Sequence, residues 1–180
     1  MYDRELLAKL IRERALQFGD FTLASGKKST FYLDCRKVTL DSEGARLVGE
    51  GILEKLFDPE LPDAVGGMAI GADPITAAVL TMAAVHGKPL RGFIVRKESK
   101  DHGTRRLVEG PVQAGETVVV LEDVVTTGGS ALTAIDRVRE AGLNVRGVIG
   151  LIDRNEGGRE AFAARGIPLT TLFSIDDFRS

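Results

Sequence analysis

The chain has 180 residues, 43% of them apolar and 28% charged, with a formal net charge of −2. That length suits one domain with a full core, and the near-neutral balance excludes a mainly electrostatic nucleic-acid binder, which needs a strong basic excess. One cysteine, Cys35, excludes an intramolecular disulfide, and with only His86 and His102 beside it an ordinary four-ligand structural zinc site is excluded too.

The charged start, Met1-Tyr2-Asp3-Arg4-Glu5, does not read as a signal peptide, and no run of about 18 apolar residues offers a membrane span. The expectation is a cytoplasmic protein with neither a membrane nor a nucleic acid as partner. Leu6, Leu7, Leu10, Ile11, Leu16 and Phe18 recur at helical spacing, which predicts a first helix stopped by Gly19. Residues 21–34 read as a turn flanked by short strands, with Cys35 a small apolar residue beside them. Asp41-Ser42 caps a second helix bearing Leu47, Val48, Ile52, Leu53 and Leu56.

From residue 64 the pattern changes. Ala64-Val65-Gly66-Gly67-Met68-Ala69-Ile70 reads as a buried strand running into a glycine loop, and Asp73-Pro74 predicts a helix start with Asp73 as its cap. His86 falls at that helix's end and reads as structural. A strand over 91–95 leads to a polar stretch, 96–110, with eight Lys, Arg, Asp or Glu residues, which reads as a mobile loop. Thr117-Val118-Val119-Val120-Leu121 is a continuous apolar run of the kind found in a central parallel strand. A helix from Ser130 to about Ala141, a strand over 145–152, a short helix near 159–164 and a strand around 168–172 complete the alternation. The predicted fold is α/β, with a mainly parallel central sheet flanked by helices and a small N-terminal hood over about 1–40, joined by the C-terminal part.

Three segments carry chemistry. In Val118-Val119-Val120-Leu121-Glu122-Asp123-Val124-Val125-Thr126-Thr127-Gly128-Gly129-Ser130 a strand ends in two acids, and a hydroxyl- and glycine-rich turn opens a helix. A helix N-terminus with consecutive backbone N–H groups is a phosphate cradle, and the glycines permit close approach. Acids at the C-terminal end of a strand suit ribose hydroxyls, because open α/β sheets bind ligands there. The basic stretch Arg96-Lys97-Glu98-Ser99-Lys100-Asp101-His102-Gly103 suits an anionic leaving group, or else is a solvated charged hairpin. Arg154, after Leu151-Ile152-Asp153, offers a guanidinium fork to a carboxylate, or is a surface arginine at a strand end.

The 118–130 segment resembles the PRPP (5-phosphoribosyl 1-pyrophosphate) signature of type I phosphoribosyltransferases, and the chain from about Phe18 to Arg154 resembles the orotate phosphoribosyltransferases. The resemblance implies one phosphoribosyltransferase domain over 1–180, taking PRPP and orotate. It implies that Glu122 and Asp123 hold the ribose hydroxyls, that Thr126, Thr127, Gly128, Gly129 and Ser130 hold the 5′-phosphate, and that Val124 and Val125 also belong to the PRPP-binding segment. Arg96, Lys97, Lys100 and His102 then belong to a catalytic loop over the pyrophosphate, with Lys100, His102 and Asp123 catalytic. Thr126 and Arg154 face orotate. Gly67-Met68-Ala69-Ile70-Gly71-Ala72-Asp73-Pro74 resembles the pyrophosphate loop, or is a simple tight turn. Phe21-Thr22-Leu23-Ala24-Ser25-Gly26-Lys27-Lys28-Ser29 and Phe31-Tyr32-Leu33-Asp34 resemble the segment that embraces orotate, or form a structural hairpin. Ala24 departs from the pattern, because several members have a lysine there; Lys27 or Lys28 is the candidate to replace it. Mg²⁺ is implied, held mainly by substrate with no protein cage, as is a homodimer sharing the loop. A purine-base phosphoribosyltransferase and a regulatory protein of the same fold are the rival readings.

Overall fold

The computed structural model describes residues 2–22, 26, 28–57, 60–98 and 106–179. Helix α1 (Arg4–Leu10) begins at Asp3, whose carboxylate accepts from the Leu6 amide at 2.9 Å. It passes into one wider π turn over Ile11–Ala15 and ends there. The expected helix through Phe18 is therefore corrected. Leu16 to Phe18 already belong to strand β1 (Leu16–Thr22), paired antiparallel with β2 (Lys28–Leu33) in the register Leu16↔Leu33 and Phe18↔Phe31. Cross-strand aromatic and aliphatic pairs outweigh a helical period that only buried Leu7, Leu10 and Ile11 need. Gly19 sits inside β1, near an irregularity between Phe18 and Phe21.

A four-residue helix, α2 (Arg36–Thr39), follows, and Asp41 caps α3 (Ser42–Leu56) through the Glu43 and Gly44 amides as expected. Strand β3 (Ala64–Met68) is buried at every residue. Helix α4 (Ala72–Val85) starts at Gly71, so Asp73 lies within its first turn rather than at the cap. Pro74 fits there because first-turn amides have no intrahelical partner. Strand β4 (Arg91–Val95) pairs with β5 (Val108–Glu109), so the end of the presumed loop is strand, not loop. Then come β6 (Thr117–Val125), α5 (Gly129–Glu140), β7 (Asn144–Asp153), α6 (Gly158–Ala164), β8 (Leu169–Ser174) and a 3₁₀ turn, Ile175–Phe178.

The main sheet has the order β5-β4-β3-β6-β7-β8, and all its pairings are parallel except β4 with β5. One core cluster gathers α1, α3 and α4 on one face, with Leu47, Ile52, Ile75 and Val79 against Val65, Val119 and Leu151. The other joins α5 and Phe162 of α6 to Val118, Val120 and Val148. The N-terminal elements meet the chain's far end: Arg4 pairs with Asp177 at 3.2 Å and lies 4.5 Å over the Phe173 ring. The chain visits β3 and β4 on one side before returning to place β6 on the other. The reversal leaves a crevice beyond the C-terminal ends of β3 and β6, where open α/β sheets take ligands.

Candidate active site

The crevice holds a cleft of about 400 Å³ lined by Asp34, Arg36, Gly71, Lys97 and Asp123, among others. Its floor is a close approach of two loops. A Cβ at Gly71 would lie 2.7 Å from Asp123 Oδ1, so glycine lets the β3–α4 turn sit against that carboxylate without displacing it. The Ala69–Ile70 peptide in this turn is cis. Asp123 also accepts from the Val124 amide at 2.9 Å. On the opposite wall Arg36 holds Asp34 through Nε at 2.8 Å and Nη2 at 3.2 Å, and this hydrogen bonding holds the Asp34 carboxyl below the usual range. Arg36, Lys97, Asp34 and Asp123 thus line one concave space, an arrangement that suits a multiply charged ligand bound with its counter-cation.

Glu122 and Asp123 are neighbours at the end of β6, and their carboxyls come close enough to interact by a side-chain hydrogen bond. Glu122 is buried, and that burial, reinforced by repulsion from Asp123, pushes its pKa up to about 8; Lys97 and the Ser130 hydroxyl pull the other way. Burial likewise pushes the Cys35 thiol well up, helped by Asp123 and Asp34, so this cysteine is a packed apolar residue and no nucleophile.

Beyond Asp123, β6 runs into the turn that starts α5. Gly128 has φ +81°, the left-handed region, and no side chain caps the helix. Gly158, at the start of α6, packs behind the turn, where a Cβ would come within 2.8 Å of the Thr126 carbonyl. The first-turn amides of a helix without a side-chain cap, backed by its dipole, favour an anion.

Arg154 stands across this turn from the cleft. Its amide donates to the Val125 carbonyl at 2.9 Å. Its side chain is buried, 4.4 Å over the Phe31 ring, with Nε on Glu156 Oε1 at 2.9 Å and Nη2 near Ser29 Oγ at 3.4 Å. It is no surface arginine. Residues 21–34 are likewise more than a hairpin, because Ser29 and Phe31 of β2 meet Arg154.

The structure therefore brings together Lys97, Glu122, Asp123, the 124–130 turn and Arg154. Arg96 points elsewhere: its guanidinium reaches Glu109 at 3.4 Å, its carbonyl accepts from Arg137, and its Nε is buried with no hydrogen-bond partner among the described residues. Lys100, His102, Ala24 and Lys27 lie outside the described residues. Lys28 donates to Thr22 Oγ1 at 2.8 Å, within the hairpin. Ser29 stood in the segment read as embracing orotate, whereas reading the sequence missed Arg36 and Glu156. Only the last had a signal, the polar run Asp153-Arg154-Asn155-Glu156 at a strand end. Among the described residues no group of three or more His, Cys, Asp or Glu could hold a metal ion, and no helix is long and apolar enough to cross a membrane. A magnesium ion bound here would need ligand oxygens besides Asp123.

No protein-family model matches the chain. It is 52% identical over 177 residues to an orotate phosphoribosyltransferase of Rhodopirellula baltica, covering 96% of this chain and 92% of that protein. It is 51% identical over 178 residues to one of Thermosynechococcus vestitus, covering 98% and 93%. Among solved structures it is similar to Mycobacterium tuberculosis orotate phosphoribosyltransferase in complex with Fe(III) dicitrate, with TM-score 0.86, 37% identity and coverage of 98% and 99%. The same enzyme in complex with PRPP gives TM-score 0.82 and 35% identity, covering 97% and 98%. Leishmania tarentolae adenine phosphoribosyltransferase, at 14% identity and TM-score 0.65, shares the fold alone.

Proposed function

Because the chain belongs to the orotate phosphoribosyltransferase family, we infer that it transfers the 5-phosphoribosyl group from PRPP to orotate, giving orotidine 5′-phosphate and pyrophosphate in pyrimidine biosynthesis. The observation that carries this reading is Asp123 seated against Gly71 in the crevice, next to an uncapped helix start. The 126–130 turn takes the 5′-phosphate, and Asp123 with Glu122 takes the ribose hydroxyls. Lys97 and the Gly71 turn face the pyrophosphate, and Arg154 takes the orotate carboxylate, with Thr126 beside the base.

Ribosyl transfer passes through an oxocarbenium-like state, as in glycoside chemistry. The protein's task is then to align orotate N1 with C1 of the ribose and to stabilise charge on the departing pyrophosphate. Lys100 and His102 complete that role by family resemblance, with Arg96 and Lys97 leading into their segment. Mg²⁺ supplies charge neutralisation on the pyrophosphate when bound, and Asp123 is the protein group placed to meet it, through ribose oxygens or water. The chain acts as one domain over 1–180 in the reducing cytoplasm, where Cys35 stays a thiol. It works as a homodimer in which each protomer lends its Lys100 and His102 to the partner's site.

The test is loss of orotate absorbance with PRPP and Mg²⁺. Wild type consumes orotate, and Lys100→Ala does so at least ~100-fold more slowly, a loss of about 2.7 kcal/mol of transition-state stabilisation. Turnover of adenine or hypoxanthine with no orotate loss would overturn the base assignment.

A further inference from the structure

Glu156 has no place in the reaction described so far, yet it is the principal polar partner of Arg154. Arg154 is 8% exposed and stacks on Phe31, so few guanidinium orientations are open to it. Glu156 Oε1 takes both Nε and Nη2 at 2.9 Å. The chain is bent to allow this. Asn155 is the only non-glycine residue with positive φ, at +57°, among those described. Its amide N–H donates to Asp153 Oδ1 at 2.8 Å, and its side chain donates to Ser174 Oγ at 3.0 Å and Asp176 Oδ2 at 2.8 Å. Asp153 is fixed in turn: it is 1% exposed and paired with Arg159 at 3.2 Å. Asn tolerates the left-handed region better than most residues, and here it folds Glu156 back onto the residue two before it.

We propose that Glu156 is a positioning residue that fixes the Arg154 guanidinium by its Nε edge, so that the opposite edge is presented in one orientation to a ligand carboxylate. The proposal rests on the reading of Arg154 as the orotate carboxylate's partner. A guanidinium has five donors in a rigid fork; Glu156 takes the Nε–Nη2 edge, which leaves the Nη1–Nη2 edge, with Ser29 Oγ 3.4 Å from Nη2, to meet a second carboxylate. What Glu156 contributes is an acceptor at the right reach. Specificity for a carboxylated pyrimidine then depends on Glu156, although it need not touch the ligand, much as outer-shell partners orient metal ligands.

The experiment compares calorimetric binding of orotidine 5′-phosphate and uridine 5′-phosphate, which differ only in the carboxylate. Wild type is expected to prefer the former by at least ~10-fold, an affinity ratio of the size a charged bidentate pair supplies. Glu156→Ala, and Glu156→Asp with its shorter reach, lower that preference at least ~5-fold and leave uridine 5′-phosphate binding within about 2-fold, because the lost acceptor is felt only through Arg154. Glu156→Gln keeps an oxygen at the same reach and retains the preference; if Glu156→Ala fails to fold, the contrast between Asp and Gln still decides. A Gln variant as impaired as Asp, a rise in preference in any variant, or equal weakening of both ligands overturns the proposal. A wild type that does not distinguish the two ligands overturns the reading of Arg154, and this inference with it.

Discussion

Glu122 shows what burial does to a single carboxyl. Its pKa is raised to about 8, mainly by desolvation and then by the charge on Asp123. In the unfolded chain the group titrates near 4.5. A raised folded value means the folded state holds the proton between those two pH values. The stability this confers is fully present below the unfolded value and is lost as pH rises through about 8. Ligand-free protein should therefore lose stability between about pH 5 and 8, at no more than about 1.4 kcal/mol per pH unit. Glu122→Gln should flatten that slope in urea titrations. Arg36 illustrates the opposite case, an exposed side chain held by one partner. Arg36→Ala should raise KM for PRPP by about 3- to 10-fold and leave KM for orotate nearly unchanged, the range expected for one accessible charge on a phosphate. Steady-state kinetics with each substrate varied in turn reads the difference.

At the level of elements, the β6–turn–α5 unit was legible because it is local. An apolar run, two acids and a glycine turn occur in one stretch, and each reports its own backbone requirement. Gly128 is the clearest of these. Its φ of +81° strains any side chain, and the Phe162 ring, 3.2 Å from its would-be Cβ, would have to give way slightly. Gly128→Ala should cost about 1–2 kcal/mol, a few degrees of melting temperature by calorimetry, and should weaken PRPP binding more than orotate binding. The sheet, α3, α4 and most strand ends were equally readable from hydrophobic runs and from Asp41. The π turn over Ile11–Ala15 was not, because the period of Leu6 to Phe18 fits a helix until the partner strand is known. Strand β5 was hidden by the charge of 96–110, since two residues at an edge need no apolar pattern. The approach of Gly71 to Asp123 and of Ser29 to Arg154 joins residues far apart in sequence. No local signal announces such contacts.

On the scale of the whole molecule, the proposed sharing of Lys100 and His102 has a quantitative signature. If each site combines one protomer's Arg154 with its partner's Lys100, then Lys100→Ala and Arg154→Ala proteins, each inactive alone, should complement when exchanged into mixed dimers. Half the dimers are then mixed, and each has one intact site, so about a quarter of wild-type activity returns. Recovery of no activity in mixtures shown by native mass spectrometry to have exchanged subunits would place both residues in the same protomer's site.

The placement of β6 between β3 and β7 also bears on how the protein comes into being. Ala64 to Gly66 pair with Val118 to Val120, and that pairing closes the crevice floor. A nascent chain that has emerged only as far as β4 has the β3–α4 turn but no carboxylate opposite it, and no cradle. Substrate can therefore stabilise the protein only late in its synthesis, once β6 and α5 have cleared the ribosome. Translation arrested before and after that point, with PRPP present, would show protease protection switching on as β6 docks.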